Sequence, residues 1–130
     1  MIVVDASAMV EVLLGTDTGR EVDDLVLGAD SRHAPHLLDI EVAQVLRRFV
    51  RAEAITAARA RQALEDLCAF PMRRHAHVEL LERMFELRAS FTAYDAVYLA
   101  LAEALDATLV TCDEAMARAP RRRVRVRVFR

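Results

Sequence analysis

The apolar positions along the chain alternate between short continuous runs and longer stretches in which they recur every three or four residues. Short apolar runs are typical of buried strands, and spacings of three and four residues are typical of amphipathic helices. The runs predict strands at residues 2–5, 32–34, 75–77, 108–111 and 123–129. The periodic stretches predict helices at about 8–14, 18–28, 35–51, 56–69, 78–90, 92–105 and 113–118.

Individual residues account for several of these boundaries. A break at residues 15–17 separates the first two helices, and Pro35 fits the first turn of the third, where its missing N–H is harmless. Thr56 and Thr92 are suitable N-caps for later helices. Strands that alternate with helices predict right-handed crossovers and an α/β fold, in which a mostly parallel sheet is covered by helices on both faces.

Length and composition fit a single folded domain spanning residues 1–130. Hydrophobic residues make up 55% and charged residues 29% of the chain, which excludes a disordered class. The N-terminal apolar run is too short for a signal peptide or a membrane span, so we expect a cytoplasmic protein. Cys68 and Cys112 lack a metal-binding spacing, and we expect both to be reduced and mostly buried.

The charge pattern restricts how the chain could bind nucleic acid. Its net charge is −2, so binding would require local basic patches rather than a globally basic surface. One cluster covers residues 73–75, where RNA contact and simple solvation are both open. A second alternates arginines with valines over residues 121–130, a pattern typical of an edge strand that presents its charges outward.

Two acidic residues directly follow predicted strands. Asp5 ends the first apolar run, and Asp113 follows "TLVT" after one intervening cysteine. Parallel sheets place ligands beyond the carboxyl ends of their strands, where these two side chains would lie. Each could equally cap the helix that follows it.

Two further acids lie on helices and share the apolar face. Glu41 has mostly apolar helical neighbours, and burying its charge without a partner would cost several kcal/mol. An internal pair with an arginine is the simplest alternative to metal binding. Asp95 stands three residues after Thr92, the spacing of a capping box, yet its following helical neighbours are also mostly apolar.

These four carboxylates would meet at one edge of the sheet. Like charges packed together raise one another's pKa and oppose folding unless a cation neutralises them. Oxygen ligands select a hard ion, and we therefore expect Mg²⁺ or Mn²⁺ with bound water as a nucleophile. The pattern favours hydrolysis of a phosphodiester.

Two other classes that bind Mg²⁺ beside strand-end acids lack a required group here. Receiver domains rely on a lysine, and haloacid-dehalogenase-like phosphatases need a lysine and a second acid two residues after the first. All 18 basic residues of this chain are arginines, and position 7 is serine. Both classes are therefore disfavoured.

The chain resembles the PIN-domain ribonucleases, and in particular the VapC toxins of bacterial toxin–antitoxin pairs. The segments that carry the resemblance are "IVVDASAMVEVLL", "APHLLDIEVAQVLRR", "FTAYDAVYLALAEALDATLVTCDEAMARA" and the terminal "VRVRVF". They cover nearly the whole length of the chain. The resemblance implies a three-layer α/β/α sandwich.

The resemblance also implies roles for particular residues. The acidic quartet of the family corresponds to Asp5, Glu41, Asp95 and Asp113. Metal ligation falls to the three aspartates, and Glu41 would position or deprotonate water. Ser7 and Thr111 take positions where the family often has hydroxyls lining the site; helix capping and strand-end hydrogen bonding are their alternatives.

The function implied by the resemblance is metal-dependent endonucleolytic cleavage of RNA by a homodimeric toxin. The implied partner is a VapB-like antitoxin, whose C-terminal segment would reach the active site. Two alternatives stay open: a stand-alone PIN nuclease without an antitoxin, and a catalytically idle PIN-like domain that only binds a partner protein.

Overall fold

The structure is a computed structural model that describes all residues from 1 to 130. Its five strands are β1 (Ile2–Val4), β2 (Arg32–Pro35), β3 (Arg73–His75), β4 (Thr108–Thr111) and β5 (Arg125–Val128). Its six α-helices are α1 (Ala6–Leu14), α2 (Asp17–Leu27), α3 (Leu37–Arg51), α4 (Ala57–Ala69), α5 (Leu81–Glu86) and α6 (Ala93–Leu105). Short 3₁₀ helices cover Val78–Leu80 and Glu114–Arg118.

The strands form one parallel sheet in the order β3-β2-β1-β4-β5. Val3 and Val4 in the central strand are both fully buried, and so are Leu109 and Val110 in β4. Because successive strand residues face opposite sides of a sheet, helices must cover both of its faces. The predicted α/β architecture with a parallel sheet between helical layers is confirmed.

Helix α6 is apolar around most of its circumference. Seven successive residues from Ala96 to Ala102 are buried, and the helix contacts β1, β2 and β4. A helix that is hydrophobic on all sides is stable only when it is enclosed. This burial holds the N-terminal end of α6, which carries Asp95, against the carboxyl ends of the central strands.

Close packing between α1 and α2 depends on Gly19. A Cβ atom at this position would lie 2.0 Å from the backbone oxygen of Glu11, so only glycine fits. Thr16 caps α2 by accepting a hydrogen bond from the Gly19 N–H at 2.9 Å. The hairpin fixes α1, whose first turn contributes Ser7 to the cleft described below.

Several predicted boundaries are wrong. Pro35 ends β2 instead of starting a helix, and α3 begins at Leu37. The third strand lies at residues 73–75 rather than 75–77. The helix predicted over 78–90 is a 3₁₀ turn followed by the six-residue α5, and the element predicted at 113–118 is a 3₁₀ helix that begins at residue 114.

Other surface predictions have mixed outcomes. β5 is an edge strand with exposed arginines, as its alternation predicted. Both cysteines are free thiols, but Cys68 is exposed, because it lies on the outer side of α4 rather than in the core. Cys112 is half-buried, and burial raises its pKa to about 11. No helix has both the length and the apolar character needed to cross a membrane.

Candidate active site

The four predicted acids line one cleft of about 430 Å³ at the carboxyl edge of the sheet. Asp5 comes from the end of β1, Glu41 from the second turn of α3, Asp95 from the first turn of α6, and Asp113 from the segment after β4. The remaining residues that line the cleft are Ala6, Ser7, Leu37, Ile40, Gln44, Val45, Arg48 and Tyr94. The predicted convergence of these carboxylates is therefore present in the fold.

Asp5 is the most enclosed of the four, with only 7% of its surface exposed. Its Oδ2 accepts hydrogen bonds from the hydroxyls of Thr111 at 2.6 Å and Ser7 at 2.7 Å. It occupies the N-cap position of α1 but makes no capping hydrogen bond through its side chain. Burial raises the pKa of Asp5, the hydroxyl hydrogen bonds lower it, and the nearby Asp113 charge raises it further.

The hydroxyls of Ser7 and Thr111 connect the ends of β1 and β4. The Cys112 N–H donates to the Ser7 hydroxyl, and the Asp113 N–H donates to the Thr111 hydroxyl, each at 2.9 Å. Both side chains therefore bond to strand-end backbone and also bond to Asp5. Ser7 lines the cleft and also makes a local hydrogen bond, whereas Thr111 is fully buried and does not line the cleft, so its role is hydrogen bonding at the end of the strand.

Glu41 is half-buried and has a single side-chain partner. The Tyr98 hydroxyl on α6 donates to its Oε1 at 2.8 Å. Burial raises the pKa of Glu41, and the charges of Asp5 and Asp95 raise it further, while the Tyr98 hydrogen bond lowers it. The arginine partner considered from the sequence is absent, so Glu41 keeps an uncompensated carboxylate.

Asp95 and Asp113 each stand at the start of a helical element. The Thr92 hydroxyl caps α6 by accepting from the Asp95 N–H at 3.2 Å, as the capping-box spacing predicted. Burial and the nearby Asp113 charge raise the pKa of Asp95. Asp113 caps its own 3₁₀ turn through Oδ1, which accepts from the Ala115 N–H at 2.8 Å. Capping and cleft lining therefore coexist for Asp113.

None of the four carboxylates takes part in an ion pair with arginine. Hydroxyl and backbone donors orient these groups but do not cancel their charge. Three of them have a raised pKa, which means that the fold disfavours their ionised forms. A cation in the cleft would remove this penalty.

The donor set fits a hard divalent cation, although the side chains do not form a closed cage. No three histidine, cysteine, aspartate or glutamate side chains are gathered into a metal-ligating group. Mg²⁺ is commonly bound through one or two carboxylates and keeps several waters. An open cleft lined by oxygen donors is compatible with that mode of binding.

Sequence reasoning missed three side chains in or beside the cleft. Tyr98 is buried, and its hydroxyl holds Glu41; the position of Tyr98 three residues after Asp95 on the same helix was the available signal. Tyr94 is 63% exposed on the cleft wall, so core packing does not account for it. Arg48 also lines the cleft, one turn beyond Gln44 on α3.

The basic cluster at residues 73–75 is largely engaged inside the protein. Arg74 forms a bidentate pair with Asp39 at 2.7 and 3.0 Å and donates to the Leu67 carbonyl. His75 shares a hydrogen bond of 2.8 Å with His33 on β2. These contacts join β3 to its neighbours, so two of the three basic side chains have structural roles.

The PIN domain family model matches residues 2–122. The chain belongs to the PIN-domain family. A VapC ribonuclease of Mycobacterium bovis is 44% identical over 113 residues, which are 87% of this chain and 86% of that protein. Ribonuclease VapC1 of Mycobacterium tuberculosis is 43% identical over 119 residues, or 91% of this chain and 90% of that protein.

Solved structures of low sequence identity share the fold. A chain of VapBC2 from Rickettsia felis, solved with a DNA fragment from the promoter, matches the whole of this chain and the whole of its own length. The TM-score is 0.73 and the sequence identity is 14%. The PIN architecture is thus retained at low identity, and the VapC relatives tie this chain to one branch of the family.

Proposed function

We propose that this PIN-domain protein, acting as a single domain over residues 1–130, is a metal-dependent endoribonuclease and the toxin of a VapBC-type pair. The observation that carries the proposal is the cleft in which Asp5, Glu41, Asp95 and Asp113 meet without an ion pair to any arginine. The ribonuclease names of its VapC relatives supply the substrate class.

We assign metal ligation to Asp5, Asp95 and Asp113, and the ion to Mg²⁺ or Mn²⁺. When bound, such an ion supplies a more acidic water and stabilises charge that develops on a phosphodiester. The Thr111 and Ser7 hydroxyls fix the orientation of the Asp5 carboxylate by bonding to one of its two oxygens. Oriented carboxylates reduce the reorganisation required during the reaction.

Glu41 is assigned as the general base. Its raised pKa brings it closer to neutral pH, where a base exchanges protons most effectively. The Tyr98 hydroxyl holds one carboxylate oxygen and leaves the other to accept a proton from water. Tyr98 is therefore a positioning residue in this scheme.

Partner binding is part of the same proposal. The structural neighbours include VapBC complexes, which point to a VapB-like antitoxin. For the homodimer, an exposed apolar surface beside the cleft is a suitable interface, since contiguous exposed apolar side chains mark sites of association. This surface comprises the exposed side chains of Ile40, Leu81 and Tyr94, which line one groove together with Leu37, Met84 and Val97. A cytoplasmic location follows from an RNA substrate and this partner.

Cleavage of total RNA by the purified protein tests the proposed activity. We expect discrete fragments with Mg²⁺ or Mn²⁺, no cleavage with a chelator, and at least a 100-fold loss with Asp95→Asn. Asp24→Asn, an exposed position on α2, removes the same charge and should retain activity. Sequencing the new RNA ends then identifies the cleavage site.

The remaining arms of this experiment separate the alternatives. Cleavage that persists in the chelator contradicts metal dependence. Intact RNA under all metal conditions supports the idle protein-binding domain instead. A short reading frame beside the gene that encodes an inhibitor of the cleavage supports the toxin role, and its absence supports a stand-alone PIN nuclease.

A further inference from the structure

Arg48 is the only basic side chain that lines the acidic cleft. It lies on α3 seven residues after Glu41, which is two helical turns along the same face. Its side chain is exposed and forms no ion pair with any carboxylate of the protein. A free guanidinium therefore stands at the end of a cleft that is otherwise negative.

The neighbouring arginines of α3 face elsewhere. Arg47 and Arg51 line a separate groove between α3 and α4, together with Leu46, Val50 and Leu64. Adjacent helical residues are rotated by about 100° around the axis, which places Arg47 and Arg48 on different sides. The chain thus provides a matched control: two successive exposed arginines, of which one lines the cleft.

An RNA strand in this cleft would be repelled by the carboxylates and attracted by a bound cation. Four carboxylates repel its phosphates, and a bound cation offsets this repulsion only near the metal site. Beyond that point, an RNA phosphate needs another positive group. The planar guanidinium of arginine binds phosphate oxygens through two parallel hydrogen bonds.

Nothing within the protein competes for this group. Other arginines close to acids are engaged, such as Arg83 with Glu103 and Arg74 with Asp39. Arg48 keeps all its donors available and is near the Gln44 amide, one turn away on the same wall. Arg48 therefore forms no ion pair that would stabilise the fold, and its guanidinium is available to a ligand.

We propose that Arg48 binds the RNA phosphate adjacent to the scissile one and so fixes the register of the strand across the carboxylates. This role rests on the proposed ribonuclease function. Arg48 contacts substrate in the ground state and in the transition state alike, so its loss should raise KM and leave kcat nearly unchanged.

The first test compares Arg48→Gln, Arg48→Lys and Arg47→Gln on a short RNA that contains the mapped cleavage site. For Arg48→Gln we expect KM to rise about 5- to 10-fold with kcat within about twofold, as for a lost phosphate contact. The salt slope of log KM should fall by about 0.7, the value for one phosphate contact on a single strand. Arg48→Lys should recover part of the loss, and Arg47→Gln should match the unsubstituted protein.

A second test identifies the phosphate itself. Each phosphate around the cleavage site is replaced in turn by a neutral methylphosphonate. One replacement beside the scissile phosphate should raise KM for the unsubstituted protein but not for Arg48→Gln, because the two changes remove the same contact. Independent, additive effects at every position would overturn the assignment.

The outcomes distinguish this inference from the function on which it rests. Equal KM values and salt slopes for Arg48→Gln and Arg47→Gln, in a protein that cleaves RNA, reject the role of Arg48 alone. RNA left intact by the unsubstituted protein rejects the ribonuclease function and the Arg48 contact together. Both arginines are exposed, so unchanged melting temperatures are expected for all three variants.

Discussion

The two ends of α6 carry partly buried acids in opposite electrostatic situations. Near the C-terminal end, Glu103 receives a bidentate pair from Arg83 at 2.7 and 3.0 Å, and its side chain is 13% exposed. At the N-terminal end, Asp95 faces Asp5, Glu41 and Asp113 across the cleft with no arginine bound to any of them.

The pKa shifts at the two ends show what each arrangement does. The hydrogen bonds that Arg83 donates to Glu103 and Glu86 raise the pKa of Arg83, so this region stabilises its charged form. Burial raises the pKa of Asp95, so the cleft destabilises its charged form. The Arg83–Glu103 pair favours the charged forms of both its members, whereas ionised Asp5, Glu41 and Asp95 oppose folding, a penalty that a bound cation would remove.

The largest expected difference between the two ends is in catalysis. Glu41→Gln removes the proposed base and should lower kcat by about 100-fold or more, the usual contribution of general base catalysis. Glu103→Gln makes the same chemical change outside the cleft and should leave kcat within about twofold. RNA cleavage assays on both variants measure this contrast. Equal losses of kcat in the two variants would place Glu41 outside the reaction.

Stability should change in opposite directions at the two ends. Arg83→Gln leaves Glu103 without its partner and should lower the free energy of unfolding by about 2 kcal/mol. Asp5→Asn removes a buried charge and should raise the free energy of unfolding of the metal-free protein by about 1 kcal/mol. Urea denaturation in a chelator measures both. A loss of stability in Asp5→Asn would show that the cleft acids support the fold after all.

Divalent metal should stabilise the fold through the cleft at the N-terminal end of α6 and have no effect through the Arg83–Glu103 pair. At about ten times its Kd, Mg²⁺ stabilises the folded state by about 1.4 kcal/mol, which corresponds to a rise in Tm of about 3–6 °C. Glu103→Gln should retain this rise, and Asp5→Asn should lose most of it. Thermal melts with and without Mg²⁺ test this, with Ca²⁺ as a second hard ion. A rise that is the same in both variants indicates metal binding elsewhere.

The smallest expected effect is a pH dependence. Because the folded-state pKa of Asp5 is raised, its ionisation costs stability as pH rises from the unfolded value of about 4 through the folded value, and the penalty is complete above it. In a chelator, the stability advantage of Asp5→Asn should therefore shrink as pH falls from 7.5 toward the unfolded pKa of about 4. Melting curves of the variant and the unsubstituted protein measure the gap between them.

The hydrogen-bonded pair of His33 and His75 gives the free energy of unfolding a pH dependence of the opposite sign. This effect cancels when Asp5→Asn is compared with the unsubstituted protein. Burial lowers the pKa of His33 and of His75. A lowered histidine pKa makes the fold lose stability as pH falls below the unfolded value of about 6.5. The variant and the unsubstituted protein both carry this histidine pair, so the pair cannot change the difference in stability between them. A stability difference that grows toward acid pH would contradict the raised pKa assigned to Asp5.

Hydrophobic periodicity predicted most of the elements because each long element has its own apolar face. It failed where the local pattern was ambiguous. "VELLERMFELRAS" has helical spacing, yet only Leu87 in this segment is buried, so packing does not sustain a long helix there. The β2 strand tolerates Pro35 at its last position, which lies beyond the residues that pair with β1 and has a register partner only on β3, and this placement depends on tertiary pairing.

The acids of the cleft could be predicted one by one, whereas their partners could not. Strand ends and an apolar helical face identify Asp5, Asp113 and Glu41 in the sequence. The Tyr98–Glu41 hydrogen bond joins residues 57 positions apart, and the Thr111–Asp5 bond joins residues 106 apart. Such contacts depend on how α3 and β4 are placed against the rest of the fold, and no local spacing encodes that placement.

The cleft draws on β1, α3, α6 and the segment after β4, so its parts are synthesised at widely separated times. β4 lies between β1 and β5 and supplies Thr111, which holds Asp5. A nascent chain therefore carries no assembled cleft until residue 113 has left the ribosome. A truncated product that stops before β4 lacks both Thr111 and Asp113 and therefore cannot assemble this cleft.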